Sequence, residues 1–137
     1  MKSTFEFSLE IARQAGALIA EKRRNEPLER NFKGGIEIVT QADIAADDLI
    51  SAAIRAAYPS HQILSEESSP DLGRVEDIEG PLWIIDPIDG TVSFMHGVPV
   101  FGTLIGIERD GLPVAGVMHF PALDETAWAA SGGGAWH

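Results

Sequence analysis

Cysteine is absent from this chain of 137 residues, which excludes a disulfide framework and any thiolate metal site. Cationic side chains are scarce: Lys and Arg total 10 against 21 Asp and Glu, for a formal net charge of −11. Such a balance argues against nucleic acid or an anionic membrane as a partner. No apolar run approaches the roughly 20 residues of a membrane-spanning helix. The opening Met1-Lys2-Ser3-Thr4-Phe5-Glu6 lacks the apolar core of a signal peptide, so a cytoplasmic location is expected. Repeats and low-complexity tracts are also absent. What remains is a hydrophobic fraction of 45%, enough for one core in a chain too short to favour two.

The most informative stretch is Asp86-Pro87-Ile88-Asp89-Gly90-Thr91, which follows the apolar run Leu82-Trp83-Ile84-Ile85. The run reads as a buried strand. Two carboxylates then leave its end on a turn stiffened by Pro87 and opened by Gly90, with the Thr91 hydroxyl just beyond. Like charges this close repel unless a cation sits between them. A hard divalent ion bound through oxygen, such as Mg²⁺, meets that need. Beside a glycine whose bare amide a phosphate can approach, it points to phosphoryl chemistry. An ordinary loop is the plain alternative, since D-P, D-G and G-T are common turn pairs. The aspartyl-phosphate mechanism needs two aspartates two positions apart; Pro87 stands where the second would be, so the spacing favours a metal site.

A second acidic group, Glu66-Glu67, ends another short apolar run, Ile63-Leu64-Ser65. It would reach the same centre if its strand end lay beside that of Asp86; otherwise it is solvated surface. Elsewhere, Ser3 and Glu6 form a capping-box pattern ahead of a helix running to about Arg24, with Phe7, Ile11, Ala15 and Leu18 on one face. Residues 28–33 are expected to form a strand and Gly34-Gly35 a turn. Thr40 and Asp43 resemble a second cap, before a helix that ends at Tyr58-Pro59 and presents Ala46, Leu49, Ile50, Ala53 and Ala57 together. Asp43 therefore has two readings, a first-turn acid stabilising the helix dipole and a group with chemical work. Residues 68–80 read as a surface loop, 101–108 and 113–120 as strands joined by a hairpin turn at Arg109-Asp110-Gly111-Leu112, and 125–130 as another strand. Trp83, Trp128 and Trp136 read as core, His61, His119 and His137 as structural or surface residues. His96 is a minor candidate for contact with substrate or phosphate.

Taken in order, Lys33, Val39-Thr40-Gln41-Ala42-Asp43, Glu66-Glu67, Asp86-Pro87-Ile88-Asp89-Gly90-Thr91, Phe94 and His96-Gly97 resemble the inositol monophosphatase-like family of Mg²⁺-dependent, lithium-sensitive phosphatases. The resemblance implies that Glu66, Asp86 and the Ile88 carbonyl hold one Mg²⁺, that Asp86 and Asp89 hold a second, and that Glu67 supports a third, weaker ion or its water. It implies phosphate contact through the backbone amides of Gly90 and Thr91, with Lys33 near the metal centre on a mobile loop. Thr91 and Asp43 would orient or activate the attacking water, with Glu66 counted in the catalytic set. The implied fold is α+β: two N-terminal helices packed on a mainly antiparallel sheet, the first domain of the sugar-phosphatase-like layered fold.

Val92-Ser93-Phe94, where many inositol phosphatases carry Thr-Asn-Phe, together with residues 97–105, 120–126 and 132–136, looks more like the histidinol-phosphate phosphatase branch. The expected substrate is therefore histidinol phosphate, then inositol monophosphate. Members of the resembled family run to about twice this length, so residues 1–137 are expected to be the N-terminal metal-binding domain, with the C-terminal domain and its further aspartate not represented. A non-catalytic remnant that binds metal or a partner is the alternative. On that expectation the chain binds Mg²⁺ weakly, hydrolyses esters poorly or not at all, and either self-associates through an exposed face, as a homodimer or otherwise, or needs a partner.

Overall fold

The computed structural model describes residues 2–25, 30–33, 37–68 and 75–137. In chain order the elements are α1 (Thr4–Asn25), β1 (Arg30–Lys33), β2 (Glu37–Thr40), α2 (Gln41–Ala57), β3 (Gln62–Ser65), β4 (Pro81–Asp89), α3 (Thr91–Met95), β5 (Gly102–Arg109), β6 (Leu112–Phe120), β7 (Glu125–Ala130) and β8 (Gly134–Trp136), with one 3₁₀ turn at Val75–Asp77. Among the described residues, no helix is long and apolar enough to cross a membrane.

Both long helices start where their caps predict. Ser3 N–H donates to Glu6 Oε2 at 2.8 Å while Glu6 N–H donates to Ser3 Oγ at 3.1 Å. The second box is closed reciprocally by Thr40 and Asp43, satisfying two amides that a helix start leaves without partners. The buried stripe of α1 is Ile11, Ala12, Ala15 and Ile19, and that of α2 is Ala42, Ala46, Ile50 and Ile54. Ala57, expected on the α2 stripe, is exposed with Arg55 and Ala56 in the last turn of the helix.

The main sheet has strand order β3-β4-β5-β6-β7-β8, with β3 parallel to β4 and every other pair antiparallel. Helix α1 lies over β5 and β6, and α2 over β4. Ile85, Ile105, Val117 and Trp128 stand in register across four strands and form the sheet's half of the core with Trp83, Ile88, Phe94 and Phe101. The opposite sheet face is a shallow groove of about 370 Å³ floored by Gly106, Gly116, Ala127, Ala129 and Ala135 and rimmed by Leu104 and Met118. It carries no titratable group.

The sequence reading needs correction at the Asp86 motif and at Trp136. Asp86 to Asp89 is not a turn: β4 continues through it, with the register against β5 broken between Asp86 and Asp89. Proline lacks an N–H for the ladder and is accommodated where pairing is interrupted. Residues 91–95 form a helical turn that the pattern did not announce. Residues 134–136 form β8, which completes the sheet edge on β7. Trp136 is 58% exposed and stacks on Trp128 rather than entering the core, because β8 is the edge strand. The hairpin at Asp110-Gly111 is as expected, with φ of 53° and 79°. Gly34-Gly35 and residues 69–74 lie outside the described residues.

Trp83 is fully buried, donates its indole N–H to His61 Nδ1 at 3.0 Å and packs edge-on to Phe7. Trp83→Ala is expected to cost about 3–5 kcal/mol in unfolding free energy, as other large core truncations do. Urea denaturation followed by Trp128 and Trp136 fluorescence would measure it; a loss under about 1 kcal/mol would remove Trp83 from the core.

Candidate active site

Parallel pairing of β3 with β4 is what brings the two acidic motifs together. Parallel strands end on the same side of a sheet, and Ser65 pairs with Ile85. The next residue of each strand is then Glu66 and Asp86. Glu66 N–H donates to Ile85 O at 3.1 Å, extending the pairing by one residue. The carboxyl groups of Glu66 and Asp86 come within hydrogen-bonding reach, where one proton held between them would serve both.

Burial pushes the Asp86 carboxyl up from 3.8 to about 8, reinforced by that Glu66 bond and by the nearby charges of Glu66, Asp89 and Asp43. Its Oδ1 is buried with no hydrogen-bond partner. Unpaired buried carboxylate oxygen is costly, and here it faces an environment of one sign. Among the described residues, no three His, Asp or Glu side chains are drawn into a ready metal cage. The donors are nevertheless all oxygen and all anionic when ionised, the chemistry that Mg²⁺ selects. A cation would replace the shared proton and satisfy Oδ1, so these residues fit one. Glu67 follows on the same turn and is half-buried, and Asp89 is exposed at the end of β4.

Asp43 reaches this place from the start of α2 and is buried. Its Oδ2 accepts from Thr40 N–H at 2.9 Å and from Thr40 Oγ1 at 2.5 Å, while Oδ1 accepts from Thr91 Oγ1 at 3.1 Å. Desolvation raises its proton affinity, against the lowering effect of the bonds from Thr40 and Thr91. The two readings of Asp43 thus use different oxygens: one caps the helix, the other meets Thr91. Thr91 Oγ1 also lies 3.1 Å from Ile88 O, so its one proton is shared between two acceptors.

Gly90 holds α3 at the end of β4 with φ +83°, and a Cβ there would stand 3.0 Å from Val100 O. Both the backbone and the close approach require glycine. Phe94 is buried and packs edge-on to Phe101. Arg23, from α1, donates Nε–H to Phe94 O at 3.0 Å, and its guanidinium fills the space that Gly97 leaves open. His96 Nδ1–H donates to Val92 O at 2.8 Å, which closes the helical turn. Lys33 ends β1, and its side chain lies outside the described residues.

Residue types alone did not reveal Arg23, Thr103 or Ser65 as parts of this region. Thr103 Oγ1 donates to Pro87 O at 2.9 Å and anchors the interrupted ladder. Each acts from another element, and no local spacing marks them.

Comparison with known proteins agrees with this arrangement. The sequence model described as the inositol monophosphatase family matches residues 1–137. Inositol monophosphatase 1 of Solanum lycopersicum is 35% identical over 129 residues, 94% of this chain and 47% of that protein. The histidinol-phosphatase of Chlorobaculum parvum is 38% identical over 136 residues, 99% of this chain and 51% of its own length. Among solved structures, the extragenic suppressor protein suhB from Bartonella henselae superposes with a TM-score of 0.88 at 34% identity, over 98% of this chain and 52% of that one. The IMPase of Thermotoga maritima gives 0.82 at 36%, over 96% and 49%. The chain spans about half the length of the relatives it matches. With the model matched from end to end and the two helices laid on the same sheet as in these structures, the chain belongs to the inositol monophosphatase family.

Proposed function

We propose that residues 1–137 carry the metal-binding and water-orienting half of the site of a Mg²⁺-dependent phosphomonoesterase acting on a small phosphorylated metabolite. The observation that carries the reading is the meeting of Glu66 and Asp86 around a buried, unpartnered Oδ1, with Asp43 and Thr91 hydrogen-bonded alongside. Glu66, Asp86, Asp89 and the Ile88 carbonyl would hold two ions, and Glu67 a third. Bound Mg²⁺ supplies a water of lowered pKa and neutralises charge on the phosphate and leaving oxygen.

The chain's own residues do the positioning that phosphoryl transfer mainly requires. Thr91 Oγ1 donates toward Asp43 and turns a lone pair outward, where it can accept from the attacking water. Asp43, its proton affinity raised by burial, is suited to take up a proton passed through Thr91. The amides of Gly90 and Thr91, and Lys33, are proposed phosphate contacts.

Within this reading, histidinol phosphate is the proposed substrate, on the strength of Ser93 and residues 97–104. Inositol monophosphate is the second reading, since relatives bear both names. Comparing kcat/KM for the two esters at millimolar Mg²⁺ tests the choice: a preference of at least about tenfold for histidinol phosphate is expected, equivalent to about 1.4 kcal/mol of transition-state binding. A preference for the inositol ester would reverse the substrate assignment and leave the metal chemistry intact. Absence of phosphate release from either ester, with Mg²⁺ bound, would favour a non-catalytic metal-binding role.

A further inference from the structure

Asp47 is a carboxylate that the reading above does not use, and it is only 2% exposed. It lies one helical turn beyond Asp43 on α2. Its Oδ1 accepts from Ser65 Oγ and, at 3.4 Å, from Ser51 Oγ. Ser51 belongs to α2 itself, whereas Ser65 is the last residue of β3 and is 3% exposed. Ser65 Oγ accepts in turn from Glu67 N–H at 3.2 Å. A hydroxyl has one proton and two lone pairs. With the proton committed to Asp47, a lone pair is left aimed at Glu67.

This bond chain runs from the helix that carries Asp43 to the turn that carries Glu66 and Glu67. The turn is thereby held twice, by Glu66 N–H on Ile85 O and by Glu67 N–H on Ser65 Oγ. The Asp47 carboxylate meets two neutral hydroxyls through Oδ1. As an orienting device it is effective: a charge fixes a hydroxyl rotor more firmly than a neutral acceptor does.

We propose that Asp47 and Ser65 are positioning residues that orient the Glu66-Glu67 turn for cation binding, an inference that rests on the metal reading above. Groups behind metal ligands commonly contribute about 10–100-fold to affinity. Calorimetric titration of Mg²⁺ into wild type, Ser65→Ala, Ser51→Ala and Asp47→Asn tests it, with melting temperatures recorded without metal. Ser65→Ala is expected to weaken Mg²⁺ binding about tenfold or more, and Ser51→Ala to stay within about twofold of wild type. Both serine variants remove one hydroxyl from Asp47, and the metal-free melting temperatures separate a loss of stability from a loss of Mg²⁺ affinity. Asp47→Asn keeps the side-chain shape without the charge, and a loss of at least about threefold is expected.

Wild-type affinity in Ser65→Ala or Asp47→Asn, or an equal loss in Ser51→Ala, would overturn the inference while leaving the metal reading standing. Should Ser65→Ala not fold, Asp47→Asn against Ser51→Ala decides alone. A wild-type chain that takes up no Mg²⁺ would overturn the metal reading and this inference with it.

Discussion

Asp86→Asn is expected to stabilise the metal-free chain and to abolish its response to Mg²⁺. The wild-type carboxyl is pushed up to about 8 by burial and by Glu66, Asp89 and Asp43. From about pH 4 to about pH 8 the folded chain therefore holds a proton that the unfolded chain has released. Stability of the metal-free protein falls as pH rises through that window, since each increment of pH favours the state with fewer bound protons. The amide carries no charge, so the variant loses this slope.

At pH 7 the gain is expected to be on the order of 1–2 kcal/mol, a figure reduced for the partial exposure of Asp86 and its screening by water. Thermal melts at about pH 5, 7 and 8.5, with and without about 5 mM Mg²⁺, would read both effects. In wild type the Mg²⁺-induced rise in Tm should grow with pH, because the ion must displace the shared proton. An Asp86→Asn chain that melts lower than wild type without metal, or that keeps the full Mg²⁺ shift, would remove Asp86 from the metal site.

Asp43→Asn is the second large expected effect. The substituted side chain can still present an oxygen to Thr40 N–H and Thr40 Oγ1, so the cap of α2 survives. Its amide then faces Thr91 as a donor, where the carboxylate accepted. Thr91 keeps Ile88 O as an acceptor, but the path for a proton from water through Thr91 ends. In the phosphatase reading, turnover should fall about 10²–10⁴-fold, the usual worth of a positioned acid or base. The affinity for Mg²⁺ and the melting temperature should change little. Single-turnover phosphate release beside calorimetric Mg²⁺ titration would separate these quantities. Turnover retained within a factor of about three would return Asp43 to a capping role alone.

Much of this was written locally in the chain. Both capping boxes were legible because a cap is a contact between residues three apart, and its geometry is complete within one helical turn. The hairpin at Asp110-Gly111 was legible for the same reason, since its positive φ values select the residues. The strand over 125–130 was also expected from the sequence, and it is β7. The acidic motifs were legible too, because two aspartates around Pro87 create a charge problem that no tertiary contact is needed to state.

The continuation of β4 through Pro87 was not legible, since proline reads as a terminator. Here the broken register and the Thr103 bond to Pro87 O accommodate it. Trp136 misled for a related reason: a tryptophan reads as core unless its strand turns out to be the last in the sheet.

What the chain alone determined is therefore the chemistry available: oxygen ligands without thiols, two capped amphipathic helices, a glycine beside the acidic motif, and membership of a recognisable family. What only the tertiary structure decided is which of those groups meet. Glu66 and Asp86 are far apart in sequence and become neighbours because β3 runs parallel to β4 and places both strand ends on one side. Asp43 joins them because α2 packs over β4, and Arg23 and Thr103 secure the region from elements further away. The orphaned Asp86 Oδ1, its raised proton affinity and the Asp47–Ser65 link to Glu67 exist only after that convergence. Burial and like-charge proximity are properties of an assembled surface, and a linear chain has neither.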